Sequence, residues 1–501
     1  QQAYKVTAVD DRARESLPSD ELTVSNNLYV EGASNLIAWK PVGGASEYRI
    51  YKRSDGVFGL IGSVDASGTL EFTDDNIAPD HEFTTPYYDS VLAGAEYPGA
   101  VGYFQQRRLF ARTTTYPQNV WGTVSGTESD MQFHLPTVDS DRLSFQVASR
   151  ETEIIRHIVG MDALLLLTDQ TEYRVSPVNS DVLTPSNIDV RPQSLVGCSP
   201  MRPIVVGRSI LFGAARGGHL YETGYQSEAG GYLPFDLSIR AQHLFDNLAL
   251  RDGGLMRAPY GLAWFTSSGG KLLGLTHVPE QQVSGWHRHD IAGASFESVC
   301  VVPEGNEDRL YAAILRGGVR SIQRMGAFEH GSIANAFFVD DGVTTTADSS
   351  GVVTGLSALA GSTVEILADG VVQTAQAVTA TGKVTMDTRK ARSVVHVGLP
   401  IAAQIQSMPV TMQIEAYAQG RQKNISDVWV RVNESGQFKI GPSLTDLVPS
   451  DASIPVETIT STEVQVMPTG DWDAGGQFWV VQDAPLPLTV LGMTLRVSIG
   501  G

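Results

Sequence analysis

Apolar and polar residues alternate one for one along much of this chain, and clusters of Gly, Pro, Asn, Asp and Ser break the alternation at short intervals. In "NLIAWKPVGGASEYRIYKR" (35–53), Leu36, Ala38 and Lys40 fall on one face of a strand and Ile37 and Trp39 on the other. "PVGGAS" then turns the chain, and Tyr48, Ile50 and Lys52 lie opposite Arg49 and Tyr51. A period of two with turn signals at roughly ten-residue spacing predicts antiparallel strands packed as a sandwich. "AYKVTAVDDRARESLPSDELTVS" (3–25) has strand-like runs around a polar turn and reads as the last hairpin of a β-module whose beginning lies upstream, so residues 1–25 are expected to close a separate module.

From residue 100 to about residue 328 a looser unit repeats: an apolar strand, a short turn and a second apolar strand. Its instances include "EIIRHIVGMDALLLLTDQTEYRVSP", "MRPIVVGRSILFGAARGGHLYETGY", "GLAWFTSSGGKLLGLTHV" and "FESVCVVPEGNEDRLYAAILRGGVRSIQRM". A spacing of about 40–50 residues is that of propeller blades, small meanders that cannot bury both faces alone. The region 96–335 is therefore expected to be a propeller-like or platform scaffold, with an array of sandwiches as the competing arrangement. Residues 336–400, poor in aromatics and rich in Thr, Ser, Gly and Val, read as a small inserted β-domain. The strands at "VTMQIEAYA" (410–418), "SDVWVRVNES" (426–435) and "LTVLGMTLRVSIGG" (488–501) make 401–501 a return to the scaffold. "SIRAQHLFDN" (238–247) is the one stretch whose pattern suggests a helix. The fold class is all-β.

Composition agrees with that class and narrows the function. Gly (50 residues) and Pro (24) are frequent, apolar residues make up 42% and charged residues 18%, which allows a sizeable core in a chain of 501 residues divided into several domains. The formal net charge of −19 argues against a surface that grips nucleic-acid phosphates, while leaving room for contact with DNA that must pass without sticking. Cys198 and Cys300 are too few and too far apart for a disulfide framework or a metal quartet, and read as two buried thiols. The longest apolar runs fall well short of the about 20 residues that span a bilayer. The opening "QQAYKVTAVDD" is neither a signal peptide nor an initiating Met, and reads as mid-strand.

Candidate chemistry is sparse. His287 and His289 in "GWHRHD" share one face of a strand beside Asp290, but lack a third and fourth ligand at matching spacing, so an edge strand is the plainer reading. "GAARGGHL" (213–220) lacks the Lys-Ser/Thr of a phosphate loop and reads as a hairpin turn. Cys198 in "GCSP" has no local base. The acid pairs Asp139/Asp141 and Asp471/Asp473 sit in polar loops, where glycoside chemistry is conceivable and solvation commoner. The aromatic and arginine-rich stretch "GYFQQRRLFARTTTYPQNVWGT" (102–123) reads as a strand, a turn and the start of another strand. Arg107, Arg108, Arg112 and Trp121 are its candidate inter-subunit or scaffold contacts, the arginines pairing either with the chain's own acids or across an interface. No catalytic, cofactor-binding or metal residue is assigned, and no cofactor is expected.

Two resemblances follow from these segments. Trp39, the "GASEYRIYKR" strand and the closing "FTDDNI" make residues 26–95 look like a fibronectin type III module. "GYFQQRRLFARTTTYPQNVWGT", "LLLLTDQTEYRVSP", "VLTPSNIDVRPQSLVGCSPMRPIVVGRSILFGAARGGHLYETGY", "GWHRHD", "FESVCVVPEGNEDRLYAAI" and "SVVHVGLP" occur in an order that resembles the tail nozzle (tail tubular protein B) family of short-tailed bacteriophages, over roughly residues 96–501. That resemblance implies a structural virion protein and no enzyme. It implies one subunit of a homo-oligomeric, typically hexameric ring at the distal tip of the tail, held by an adaptor protein ring, contacting tail fibres or spikes and the host cell surface. Viral DNA would be retained and then released through its lumen without sequence-specific binding. Two alternatives stand beside it: a glycan-binding or glycan-cleaving tailspike-like protein, and a secreted propeller and fibronectin-module binding protein.

Overall fold

The computed structural model describes residues 1–88, 96–281, 283–410, 421–468 and 472–500. The chain is all-β, and its helical content among the described residues is four single 3-10 turns. It divides into two compact units, Gln1–Leu255 with Ala263–Arg288, and Met256–Leu262 with His289–Gly501.

The first unit opens with a sandwich. One sheet runs, in spatial order, Leu22–Val24, Gln2–Asp10, Ala45–Ser54, Val57–Asp65, Asp80–Thr84, and the other pairs Asn35–Ala38 with Glu71–Asp74. Residues 1–25 are thus not the end of a separate module. Gln2–Asp10 pairs antiparallel with Ala45–Ser54 (Val6 opposite Ile50), and its Tyr4 packs with Ile37, Ile50 and Ile61 in the sandwich core. Local alternation reveals a strand's faces but not its partner, and this partner lies some forty positions away (Val6 to Ile50). Inside the core Lys52 Nζ meets Asp74 Oδ2 at 2.9 Å. The Tyr4 hydroxyl donates to the same oxygen at 2.5 Å and accepts from Asn35 Nδ2 at 2.8 Å. Asp74 Oδ1 accepts the Asn76 and Ile77 amides at 3.0 and 2.8 Å. Burial opposes the Asp74 charge, but Lys52, Tyr4 and the Ile77 amide together hold its carboxyl below the usual range.

Four antiparallel meanders of four strands each follow. They span Ala100–Phe104 to Leu143–Gln146, Ile155–Gly160 to Asp189–Ser194, Ile204–Val206 to Gly231–Asp236, and Leu250–Met256 to Val283–His289. Successive meanders pack face to face, the arrangement of propeller blades. On the strand Leu164–Thr168, Leu164 and Leu166 join Leu109, Val120 and Leu143 of the first meander. Leu165 and Leu167 join Ile210 and Phe212 of the third, with Ala163 just before the strand. On Ser209–Gly213, Leu211 turns instead toward Ala263, Phe265 and Leu273 of the fourth meander. This two-sided burial explains why "ALLLL" is apolar without alternation: both faces of the strand are covered. Close approach requires glycine where the first two meanders meet. A Cβ on Gly102 would lie 2.8 Å from Ile158 Cγ2, and one on Gly160 2.7 Å from the Tyr103 carbonyl oxygen.

The helix expected over 238–247 is one 3-10 turn, Gln242–Leu244. Its apolar spacing has another cause: Ala241, Leu244 and Phe245 plug the core shared by the third and fourth meanders, and Phe245 packs edge-on against Trp286 at 4.8 Å.

The second unit begins with a three-stranded meander, Ala294–Glu304, Glu307–Arg316 and Val319–Arg324. Its middle strand alternates, burying Leu310, Ala312 and Ile314. Residues 340–399 form a small sheet in the order Asp340–Ala347, Arg392–Leu399, Thr363–Ala368, Val371–Ala377, closed by the pair Val352–Val353 and Val384–Thr385 around its own core. The last hundred residues differ from the expected return to the scaffold. Their described strands pair with one another in two sheets around a core of Val428, Val430, Phe438, Ile440, Phe478 and Val480, making a second sandwich. The "VTMQIEAYA" strand, apart from Val410, lies outside the described residues.

Candidate functional site

The stretch 102–123 supplies the hairpin Ala100–Phe104 and Arg107–Ala111 and the adjoining strand Asn119–Gly122 of the first meander. Its two-residue turn is Gln105–Gln106, both left-handed (φ 45° and 61°), the geometry that suits the twist of a hairpin without using glycine. The Gln105 side chain donates to the Asp181 carbonyl at 2.9 Å and accepts the Leu183 amide at 2.8 Å, fixing a loop of the second meander. Arg107 is 3% exposed, and its guanidinium donates to the carbonyls of Thr123 (2.7 Å), Asp141 (2.6 Å), Asp139 (2.8 Å) and Ser140 (3.3 Å). It clasps the loop that leads into Leu143–Gln146. Arg108 pairs with Glu128 and stacks on Tyr103, whose hydroxyl accepts from its Nε at 3.0 Å. Arg112, left-handed at φ 48°, covers Gly99 so closely that a Cβ there would meet its Nε at 2.0 Å. Trp121 is buried, edge-on to Tyr116 at 6.4 Å. Outward-facing on the same edge are Val101 and Tyr103, both well exposed.

The other candidates also resolve into local roles. Asp141 is buried and organises its loop, accepting the His134 and Val138 amides at 2.8 Å each and facing His134 Nδ1 at 2.6 Å. Asp139 offers its carbonyl to Arg107. Asp471 lies outside the described residues, while Asp473 caps the amides of Gly475 and Gly476 at 3.0 and 3.1 Å. "GAARGG" bridges the strands Ser209–Gly213 and Leu220–Gln226, with Gly217 and Gly218 left-handed. His287 lies on the edge strand Val283–His289, its ring over Gly274 and edge-on to Trp264 at 5.2 Å, and burial lowers its pKa. Among the described residues no group of three or more His, Cys, Asp or Glu is placed to hold a metal. Cys198 is buried, and burial pushes its thiol pKa up; Cys300, expected to be buried as well, is exposed.

Two carboxyls stand out that the sequence did not single out. Glu172 is 4% exposed and accepts from Ser194 Oγ, while Oε1 has no hydrogen-bond partner among the described residues. Burial pushes its pKa up to about 7 against the pull of Ser194 and the Val196 and Gly197 amides. In the second unit Glu365, on Thr363–Ala368, is half-buried with Oε2 unpartnered. Burial, reinforced by the Asp483 charge, pushes its pKa up to about 7. For Glu365 the available signal was an acid among apolar neighbours, in "TVEILA" (363–368); Glu172, between Thr171 and Tyr173, carries no such mark.

These features define an all-β chain whose first unit holds a sandwich and four stacked meanders, and whose second unit holds a three-stranded meander, a small sheet and a second sandwich. No family model and no curated protein matches it. Among solved structures it is similar to human WBSCR16 (15% identity, TM-score 0.29), covering 46% of this chain and 63% of that one. It is also similar to the periplasmic gluconolactonase PpgL of Pseudomonas aeruginosa (11% identity, TM-score 0.27), over 64% of this chain and 95% of that one. A third likeness is to an exo-β-1,3-galactanase of Phanerochaete chrysosporium crystallised with galactose (11% identity, TM-score 0.22), over 98% of this chain and all of that one. Likenesses this distant carry no argument about activity.

Proposed function

We propose that the chain is a structural subunit of a virion, the tail nozzle of a short-tailed bacteriophage. In this reading it assembles as a ring on an adaptor, contacts fibres or spikes, and holds and then releases DNA at the distal tip of the tail. The observation that supports it best is the use made of the motif residues. Gln105, Arg107 and Arg108 brace loops and strands within one chain, as a framework requires, while Val101 and Tyr103 face outward on an edge strand. Rigid sheets with apolar edges suit a wall built from repeated copies. Release would be a shift between a closed and an open packing of the ring. Light scattering of the purified chain, alone and with a candidate adaptor ring, tests the assembly. A defined ring that forms on the adaptor supports the reading, and a monomer indifferent to it overturns it. Equal lumen radii before and after DNA release would overturn the gating.

A second reading has one observation in its favour. Glu365, with a pKa near neutrality, lies under the charge of Asp483, the kind of pairing with which carbohydrate-cleaving enzymes keep one acid protonated beside an ionised one. Shortening of a host polysaccharide by the purified chain would move the function to the glycan-cleaving alternative.

A further inference from the structure

Three arginines gather where the first two meanders meet the connector to the third. Arg112 follows the strand Arg107–Ala111, and its amide reaches the Asn119 carbonyl at 3.0 Å. Pro117, in the turn between them, accepts the Ile155 amide at 3.2 Å, which ties this turn to the first strand of the second meander. The connector lies against the same strand. His157 donates through Nε2 to the Ser199 carbonyl at 3.1 Å, and the Cys198 amide reaches the carbonyl of Thr168, the cross-strand neighbour of Ile155, at 2.7 Å. Arg202 comes three residues after Ser199.

The strand Ile155–Gly160 is bulged between Ile155 and His157. The extra residue lets Ile155 and Ile158, three apart, both enter the core shared with the first meander, and it leaves Arg156 and His157 together outside that core. Arg112, Arg156 and His157 are partly exposed, and Arg202 is exposed. Burial lowers the His157 pKa, the Ser199 carbonyl opposes this, and the charges of Arg156, Arg112 and Arg202 lower it further.

Among the described residues no carboxylate pairs with any of the three arginines, and their one side-chain hydrogen bond is a long one, from Arg112 Nη2 to the Gly99 carbonyl at 3.4 Å. The acids beside them are committed elsewhere. Buried Glu153 accepts the hydroxyls of Thr168, Thr171 and Tyr173 at 2.7, 3.0 and 3.1 Å, and Asp169 accepts the Ile154 amide at 2.8 Å. In a chain with 55 acids against 36 Lys and Arg, this is a local reversal of sign.

We propose that Arg112, Arg156 and Arg202 form an oxyanion site whose ligand is a phosphate group. The nearby carboxylates are spent on hydroxyls and an amide, so the counter-charge comes from outside the chain. Three guanidiniums carry more charge than one carboxylate neutralises, and their planar forks match the several oxygens of a phosphate. An anion that offsets the three charges also makes the His157 ring easier to protonate, which gives binding its own reporter.

Phosphate reaches such a site as the free ion or as the phosphodiester of a nucleic-acid chain. Titration calorimetry of the full chain at fixed ionic strength separates the two, with inorganic phosphate in one arm and an oligothymidylate lacking terminal phosphates in the other. The variants are Arg156→Gln and Arg202→Gln, with Arg389→Gln, an exposed arginine of the second unit, as the control for net charge. The expected result is saturable binding in at least one arm, weakened about tenfold or more by each of the first two variants and unchanged by the third. The His157 ring signal in NMR spectra should move with the same midpoint. Binding of phosphate alone assigns the free ion; binding of the oligonucleotide assigns the phosphodiester. No saturable binding in either arm, equal weakening in all three variants, or a His157 signal that stays still would overturn the proposal. The nozzle reading stands or falls separately, on assembly with the adaptor.

Discussion

Replacing Glu172 by Gln should stabilise the first unit near pH 8 and leave it almost unchanged near pH 4. The folded chain holds the Glu172 proton up to about pH 7, because its carboxylate would be buried with Oε1 unpartnered. The unfolded chain releases that proton near the ordinary value of 4.5. Below both values the two states are equally protonated and the residue adds no pH dependence. Between them the unfolded state alone ionises, so folding stability falls as pH rises, and it levels off above the folded value. A displacement from 4.5 to about 7 corresponds to roughly 3 kcal/mol at 1.36 kcal/mol per unit. Gln retains the side-chain oxygen that accepts from Ser194 and cannot ionise, so it escapes this loss, less the cost of placing an amide NH2 in a site built for a carboxyl. Calorimetric unfolding of wild type and Glu172→Gln between pH 4 and 8 measures the effect. The difference between the two isolates this residue, since the other titrating groups cancel. A difference that stays flat across the range would refute the reasoning, and one that grows toward low pH would reverse its sign.

Three further outcomes follow from the packing. Lys52→Ala leaves Asp74 buried and unpaired and should lower the stability of the first sandwich by about 3–5 kcal/mol, read as an early calorimetric transition, with Lys52→Met no better because the carboxylate remains. Arg107→Ala strips the buried carbonyls of residues 123 and 141, and the part-buried one of residue 139, of their donor; a loss of about 3 kcal/mol is expected, with new proteolytic cleavage in the 135–142 loop. Gly160→Ala should cost at least about 1–3 kcal/mol by overpacking the joint between the first two meanders, whereas Gly126→Ala, in open space, pays only for its left-handed backbone.

What could be read from the sequence was the face of each strand. What escaped was its partner. "ALLLL" was legible as an apolar strand of the repeated unit but not as one covered on both faces, and the meander rhythm around it has its counterpart in sheets that share cores through Leu164, Leu165, Ile210 and Leu211. Tyr4 and Val6 showed their alternation equally well, yet only the fold reveals that they belong with Ile50 rather than with an upstream module. Leu244 and Phe245 mimicked a helix because a loop filling a core also brings apolar residues together at short spacing. At the site level, Arg107 and Trp121 were legible as important residue types, but burial, which assigns their role, is a long-range property. Glu172 escaped because a lone acid in a strand has the same local signature whether it faces water or the interior.

The shared cores also reorder which residues feel one another. Leu165 and Leu166 are adjacent in the chain, yet one lies in the core with Phe212 and the other in the core with Leu109. Changes at these two neighbours should combine almost as independent events, while changes at Leu165 and Phe212, separated by most of a meander, should not. In energetic terms the proximate unit of this region is the seam between two sheets rather than the sheet itself, and a map of coupling along the chain would skip from each residue to its second neighbour.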